Sequence, residues 1–137
     1  MITKLALCAR EVVRDSATNQ ISTFSIFEGL AAAGFPLLLN PFSALFVLER
    51  EEHDNAEVAA RFQLLLGNTE LLNGATQINF EDKRRTRQMI RLEGLVIAGP
   101  GIVTAKLLVG DNVQAEYSFP VEGPAAPPQA HMTTDPV

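Results

Sequence analysis

The sequence predicts an all-β protein, an antiparallel β-sandwich of about seven to nine strands. Apolar and polar residues alternate in many short stretches, and β-branched and aromatic residues are concentrated in them. Turn-forming residues separate these stretches at intervals of roughly 10–15 residues. A β-barrel is the alternative architecture. The 137 residues are enough for one domain with a sizeable core.

The N-terminal part predicts a hairpin. Residues 2–14 form an extended run, but its apolar phase is interrupted near 9–11, which predicts a bulge or break there. The turn-forming run DSATNQ occupies residues 15–20. The stretch ISTFSIF at 21–27 follows, and its β-branched and phenylalanine residues favour a second strand.

Residues 28–41 predict a connection between two sheets. The segment EGLAAAG at 28–34 combines helix-forming alanines with a terminal glycine, so we expect a short helical turn there. The proline of the Phe35–Pro36 step then requires extended backbone in the residue before it. The connection 35–41 is rich in apolar residues, which we expect to be partly exposed.

The middle of the chain predicts three strands. Residues 43–50 are apolar on both faces, as is typical of a buried central strand. Residues 57–66 alternate with a period of two, which fits a strand better than a helix. Two pairs are turn signals, Gly67–Asn68 and Asn73–Gly74, and we expect the next strand to begin at Thr76.

The C-terminal part contains the strongest β-signal. Residues 81–87 predict a charged connection, and the strand after it is interrupted at Gly94, where glycine indicates a bulge or a close backbone approach. The Gly-Pro-Gly corner at 99–101 then leads into a hairpin with alternating strands at 103–109 and 113–121.

The composition changes after this hairpin and divides the chain into two parts. Residues 1–122 form the predicted β-sandwich domain. Residues 123–137 contain four prolines and little to bury, so they predict a C-terminal tail or an arm that docks on a partner.

The composition excludes several functional classes. The net charge of −5 argues against general nucleic-acid binding, which requires a basic face. One cysteine, Cys8, cannot form an internal disulfide, which is consistent with a reducing compartment. The N-terminal apolar run is too short for a signal peptide, and Pro36 and Pro41 interrupt the longest uncharged stretch. We therefore expect a cytoplasmic protein that does not contact membranes.

Catalytic and metal-binding patterns are not found in the sequence. Two histidines, His53 and His131, lie in an acidic loop and in the tail, which does not match the ligand spacing of a zinc or copper site. Cys8 falls within a predicted strand and is interpreted as a small core residue. We therefore expect no enzyme activity, no metal and no cofactor.

The order of several motifs resembles a family of small bacterial domains of unknown function. The motifs are Ala6-Leu7-Cys8, Ile26-Phe27-Glu28-Gly29-Leu30, Phe35-Pro36, Gly94-Leu95, Gly99-Pro100-Gly101 and Leu107-Leu108-Val109. The resemblance covers about residues 3–122 and implies a β-sandwich. It implies no catalytic residues.

Two clusters of charge are the candidate interaction residues. The basic cluster comprises Lys83, Arg84, Arg85, Arg87 and Arg91, and the acidic cluster comprises Glu49, Glu51, Glu52 and Asp54. The basic cluster fits contact with an anion or an acidic protein face, but a solvated loop at a sheet edge is the interpretation that we favour. The two clusters could also pair head to tail between copies of the chain.

These observations predict a non-catalytic protein that acts through protein–protein contacts. We expect self-association, or a role as a subunit of a bacterial or phage assembly. The alternative is a β-sandwich that binds a small ligand or carbohydrate. Exposed aromatic side chains would favour that alternative, but the chain has no Trp, and Tyr117 is predicted to point inward.

Overall fold

A computed structural model describes residues 1–124, which form an all-β fold without helices in this part of the chain. Eleven strands follow one another along it. Their bounds are β1 Ile2–Arg14, β2 Ile21–Ile26, β3 Leu30–Ala31, β4 Leu37–Leu38, β5 Phe42–Glu49, β6 Glu57–Leu66, β7 Thr69–Asn79, β8 Arg85–Leu92, β9 Val96–Ile97, β10 Gly101–Val109 and β11 Asn112–Glu122. Three of them, β3, β4 and β9, are only two residues long.

Two larger sheets pack face to face, as the sequence predicted. The first sheet has the strand order β2-β1-β5-β8, and the second has the order β3-β11-β10-β6-β7. The short strands β4 and β9 pair with each other and form a separate two-stranded antiparallel sheet. Apolar residues on the facing sides of both sheets form one core, because alternate side chains of a strand point to the same face.

Three phenylalanines join the two sheets within this core. The ring of Phe42 on β5 lies 6.4 Å from that of Phe119 on β11. Phe27, just after β2, lies 5.1 Å from Phe42 and 5.3 Å from Phe119. Phe42 and Phe119 are fully buried. Such tilted and edge-to-face arrangements are favourable for aromatic rings, so this cluster stabilises the contact between the sheets.

Side-chain hydrogen bonds connect the sheets at two seams. At one seam, the Thr3 hydroxyl of β1 donates to the Gln114 carbonyl of β11 over 2.7 Å. At the other, the Thr86 hydroxyl of β8 donates to the Asn79 carbonyl of β7 over 2.9 Å. Side-chain hydrogen bonds therefore tie the two sheets together on both sides of the sandwich.

Strand β1 changes partner along its length. Residues 2–9 pair with β5, whereas residues 9–14 pair with β2. The pairing with β2 omits Arg10, opposite Ser25, whose φ is +56°. The register is the same on both sides of this gap, β1 is continuous through it, and the register shift of β1 lies between Thr3 and Leu5. The bulge or break expected near residues 9–11 is therefore wrong, although β1 changes partner there. Beyond residue 9, the β1–β2 hairpin curls over the outer face of the first sheet, where Val12 and Ile21 pack near buried Leu45.

The expected helical turn at 28–34 is wrong. Leu30 and Ala31 form β3 instead, which pairs in parallel with the end of β11. The Ala32 amide also donates to the Glu122 carbonyl over 2.8 Å. Tertiary pairing thus satisfies the backbone groups that a single helical turn would leave unpaired.

Two further expectations about local structure are wrong. Asn73–Gly74 is not a turn, because it lies inside β7 and pairs with Gln63 and Phe62 of β6. The charged connection is also shorter than predicted, since β8 begins at Arg85. The connection 35–41 exposes apolar surface as expected, with Leu38 67 % exposed.

The described residues end just after the predicted domain boundary at residue 122. The last described strand ends at Glu122, and most of the predicted tail, residues 125–137, lies outside the described residues. In the described part of the chain, we find no helix with the length and hydrophobicity that a membrane crossing requires.

Candidate functional site

Glu49 joins the acidic and basic clusters within one chain. Its carboxylate lies at the end of β5 and is nearly buried. Arg84 Nη2 lies 3.0 Å from it, and Arg85 Nε lies 3.1 Å from it. Lys4 Nζ of β1 lies 3.5 Å away. One carboxylate therefore has three cationic neighbours.

The titration of Glu49 reflects these neighbours. The hydrogen bond from Arg85 is the largest influence that lowers the pKa of this carboxyl, and the positive charges of Lys4 and Arg84 lower it further. Partial burial acts in the opposite direction, but the net shift is downward. Glu49 therefore stays ionised well into mildly acidic solution.

Two further residues of the acidic cluster, Glu51 and Asp54, bind the Met1 ammonium. The Met1 ammonium lies 2.6 Å from Glu51 and 2.8 Å from Asp54. The Met1 contact lowers the pKa of Asp54, and hydrogen bonds to the two carboxylates raise that of the ammonium. Glu52 is exposed and lines an open groove beside them.

Three residues of this loop could offer ligand atoms to a metal. Glu51, His53 and Asp54 place one ligand atom each within 4.8 Å of one another. Two of these groups, the carboxylates, already contact the Met1 ammonium, and His53 is exposed. The arrangement is that of a loop held by the chain's first residue, and we assign no metal to it.

Arg87 lies in a different environment from Arg84 and Arg85. Its Nη2 donates to the Asn19 carbonyl over 2.6 Å, and its Nη1 lies 3.5 Å from the Asn19 side-chain oxygen. Arg14 Nη1 approaches the same oxygen to 3.3 Å. Two guanidinium groups therefore share one neutral acceptor at the end of the β1–β2 hairpin.

A groove of about 600 Å³ lies between this hairpin end and β8. Its lining includes four cationic side chains: Arg14, Lys83, Arg85 and Arg87. It also includes Ile21, Val47 and Met89, which supply apolar surface. We call it the hairpin groove. Its volume falls within the range of known ligand sites, about 300–1,000 Å³.

The sequence indicated only part of this groove. It singled out Lys83, Arg85 and Arg87, but interpreted residues 81–87 as a loop. The alternation of Arg85, Arg87, Met89 and Arg91 was the available signal, because it places these residues on one face of a strand. Nothing local to the sequence relates Arg14 to Arg87.

Arg91 lies apart from the other basic residues. Its Nε is 2.9 Å from a carboxylate oxygen of Glu93, two residues along the chain. It does not line the hairpin groove. Both side chains are largely exposed, so this pair contributes little to stability.

Strand β2 presents an edge of a different character. Within residues 1–124 it lies at the end of the first sheet and pairs only with β1. Its sequence, ISTFSI, contains no charged residue and no proline. Phe24 is 53 % exposed, Ile26 is 46 % exposed, and Val13 of the neighbouring strand is 48 % exposed. Charges and prolines usually protect such edges from pairing with other chains.

Two side chains with potentially reactive groups, Cys8 and Tyr117, have structural roles in the fold. Cys8 is fully buried, and burial raises the pKa of its thiol to about 12. The Tyr117 hydroxyl donates to the Phe27 carbonyl over 2.5 Å, and burial raises its pKa also. Tyr117 is half-buried, and this hydrogen bond holds its hydroxyl against the segment that follows β2.

Comparison with known proteins places the fold in a family. No curated protein matched the sequence. Residues 4–122 match a family of unknown function, DUF6941. This match covers nearly all of the described β-domain. The chain therefore belongs to this family of unknown function.

Proposed function

We propose that this domain is non-catalytic and acts through protein–protein contacts, by self-association or as a subunit of a bacterial or phage assembly. The observation that supports self-association best is the unprotected edge of β2 with Phe24 and Ile26 exposed. Pairing of two β2 strands in antiparallel orientation would extend the first sheet across a twofold axis. The buried, unreactive Cys8 is in keeping with a cytoplasmic location.

Head-to-tail pairing of the charged clusters is the other route to self-association. The structure gives Glu49 and Asp54 cationic neighbours in their own chain, and Arg84 and Arg85 both contact Glu49. These groups would have to exchange partners to bind a second copy. We therefore place the proposed self-contact at β2, where backbone groups and apolar side chains are available.

Light scattering coupled to size-exclusion chromatography tests this proposal. The mass should rise from monomer towards dimer with concentration, and it should change little between low and high salt because the contact is largely apolar. Phe24→Lys should return the protein to monomer, since a charge on an edge strand opposes pairing.

The matched control is Val113→Lys. Val113 is an exposed apolar residue of another strand, with 46 % of its surface accessible. This variant should associate like the unmodified protein. A monomer at every concentration would overturn self-association at β2. Association that disappears at high salt would instead support pairing of the charged clusters.

A further inference from the structure

The hairpin groove has an excess of positive charge in an otherwise acidic chain. Among the residues that the structure describes, four cationic side chains line it, against the single carboxylate of Glu81. The whole chain has a net charge of −5. The groove is therefore a local reversal of the protein's charge, and it is positioned to attract an anionic partner.

Most of these cations are not neutralised within the fold. Among the described residues, Arg14, Lys83 and Arg87 have no carboxylate oxygen within 4.0 Å of their charged nitrogens, whereas Arg85 contacts Glu49. Arg14 and Arg87 converge on the side-chain oxygen of Asn19, which is uncharged. An incoming carboxylate would offer both guanidinium groups a charged acceptor in place of a neutral one, and charge-assisted hydrogen bonds are the stronger kind.

The groove also has an apolar floor. Met89 is 47 % exposed, and Val47 and Ile21 are half-buried around it. Methionine is flexible and adapts its shape to different apolar partners. A small inorganic anion would leave this surface unused. A longer partner with both carboxylates and an apolar side chain would contact the rim and the floor together.

We propose that the hairpin groove binds an acidic polypeptide segment that carries an apolar anchor residue. The carboxylates of the segment lie at Arg14, Lys83 and Arg87, and its apolar side chain packs over Val47 and Met89. In the described part of the chain, the only aromatic residue of the lining is Phe80, which is 1 % exposed. The groove thus offers no stacking surface for nucleic-acid bases, and the mixed lining favours a peptide over a polynucleotide.

Asn19 provides a direct test of this arrangement. Its φ is +60°, a conformation that asparagine and aspartate tolerate better than other side chains. Asn19→Asp therefore keeps the backbone and places a carboxylate between Arg14 and Arg87. This internal carboxylate should compete with the carboxylates of the peptide, so binding should weaken while the fold becomes no less stable.

The binding experiment uses fluorescence anisotropy of labelled synthetic peptides with the full chain. The main probe is a ten-residue peptide of Asp and Glu with one central Leu. Its controls are the same peptide with Asn and Gln in place of the acids, the same peptide with Ser in place of Leu, and a ten-nucleotide oligothymidylate. The acidic peptide with Leu should bind best, and its affinity should fall as salt is raised.

Three variants locate the binding. Asn19→Asp, Arg14→Gln and Lys83→Gln should each lower the affinity for the acidic peptide by about two- to fivefold, as expected for loss of an exposed charged contact. Arg91→Gln is the matched control, because Arg91 lies on β8 outside the groove and pairs with Glu93. It should bind as the unmodified chain does.

Several results would overturn the proposal. These are equal binding of the neutral peptide, tighter binding of the oligothymidylate, or unchanged affinity in Asn19→Asp and Lys83→Gln. This site is independent of the β2 edge, so Phe24→Lys should keep its affinity for the peptide. Loss of self-association and loss of peptide binding are therefore separate outcomes.

Discussion

Arg87 Nη2 on β8 donates a hydrogen bond of 2.6 Å to the backbone carbonyl of Asn19, although the two residues are 68 positions apart in the chain. Two strands, β1 and β5, separate β8 from β2 in the first sheet. The contact therefore spans the outer face of the sheet and fixes the end of the β1–β2 hairpin over it. It defines one wall of the hairpin groove.

Removal of this contact should loosen the hairpin end without unfolding the core. Arg87→Ala is expected to lower the free energy of unfolding by about 1 kcal/mol, the usual net contribution of one hydrogen bond. Amide hydrogen exchange should accelerate in residues 15–21 and remain unchanged in β10 and β11. Arg91→Ala serves as the control. Exchange that accelerates equally throughout the sheet would contradict this local role.

The carboxylate of Glu49 should make stability depend on pH. Its pKa is lower in the folded state than the ordinary value of about 4.3. Ionised Glu49 therefore stabilises the fold above that ordinary value, and the contribution is lost as pH falls through the lower folded pKa.

Glu49→Gln isolates this contribution. The variant should be less stable than the unmodified chain at pH 7, because three cations lose their common anion. The difference between the two proteins should begin to shrink as pH falls below the ordinary glutamate value of about 4.3, and it should disappear once pH falls below the lower folded pKa. Urea unfolding at a series of pH values measures it. A difference that stays constant down to pH 2 would contradict the assignment.

The aromatic cluster should be a major source of stability. Phe119→Ala removes a fully buried ring that contacts Phe27 and Phe42, and such truncations cost about 3–5 kcal/mol. Val113→Ala, at an exposed site of the same strand, should cost under about 0.5 kcal/mol. Thermal or urea unfolding compares the two. Equal losses would show that the ring does not bridge the sheets.

Two glycines should respond oppositely to alanine. Gly94 has a φ of +70°, so Gly94→Ala should destabilise the fold by about 1 kcal/mol. Gly74 lies within β7, has no positive φ and has open space where a Cβ would go. Gly74→Ala should be neutral or stabilise by up to about 1 kcal/mol. Chemical denaturation of both variants checks the sign of each change.

Cys8 should be inert in the folded protein. Because its thiol is buried and its pKa is raised to about 12, a thiol reagent should label it only on unfolding. The labelling rate with a chromogenic disulfide should rise steeply across the denaturant transition. Rapid labelling in native buffer would show that the first strand opens readily.

Local patterns were sufficient to predict much of the fold. The hairpin of β10 and β11 alternates strictly, and Val103, Leu107 and Phe119 are buried as predicted. The same pattern failed at Val113, which is 46 % exposed. The reason is that the turn end of the β10–β11 hairpin extends past the core. Strand β5 was predicted as central from its apolar faces, and it pairs on both sides.

Long-range pairing explains what the sequence could not show. Leu30 and Ala31 look helical in isolation, and only β11 makes them a strand. Asn73–Gly74 resembles a turn, but the turn at Gly67 had already set the register of β6 and β7. The hairpin groove depends on the approach of Arg14 to Arg87, which follows from the curl of β1 and β2 over the sheet.

The seam between β1 and β11 has a consequence for how the chain is made. Thr3 is synthesised well before its partner Gln114, which is 111 positions later in the sequence. Closure of the sandwich must therefore wait until nearly the whole domain has been synthesised. Until then β1 can pair with β2 and β5, but the inward face of this sheet has no complete second sheet to cover it, and contacts of such long range form slowly. The domain should depend on protection of its nascent N-terminal strand more than on the speed of its local hairpins.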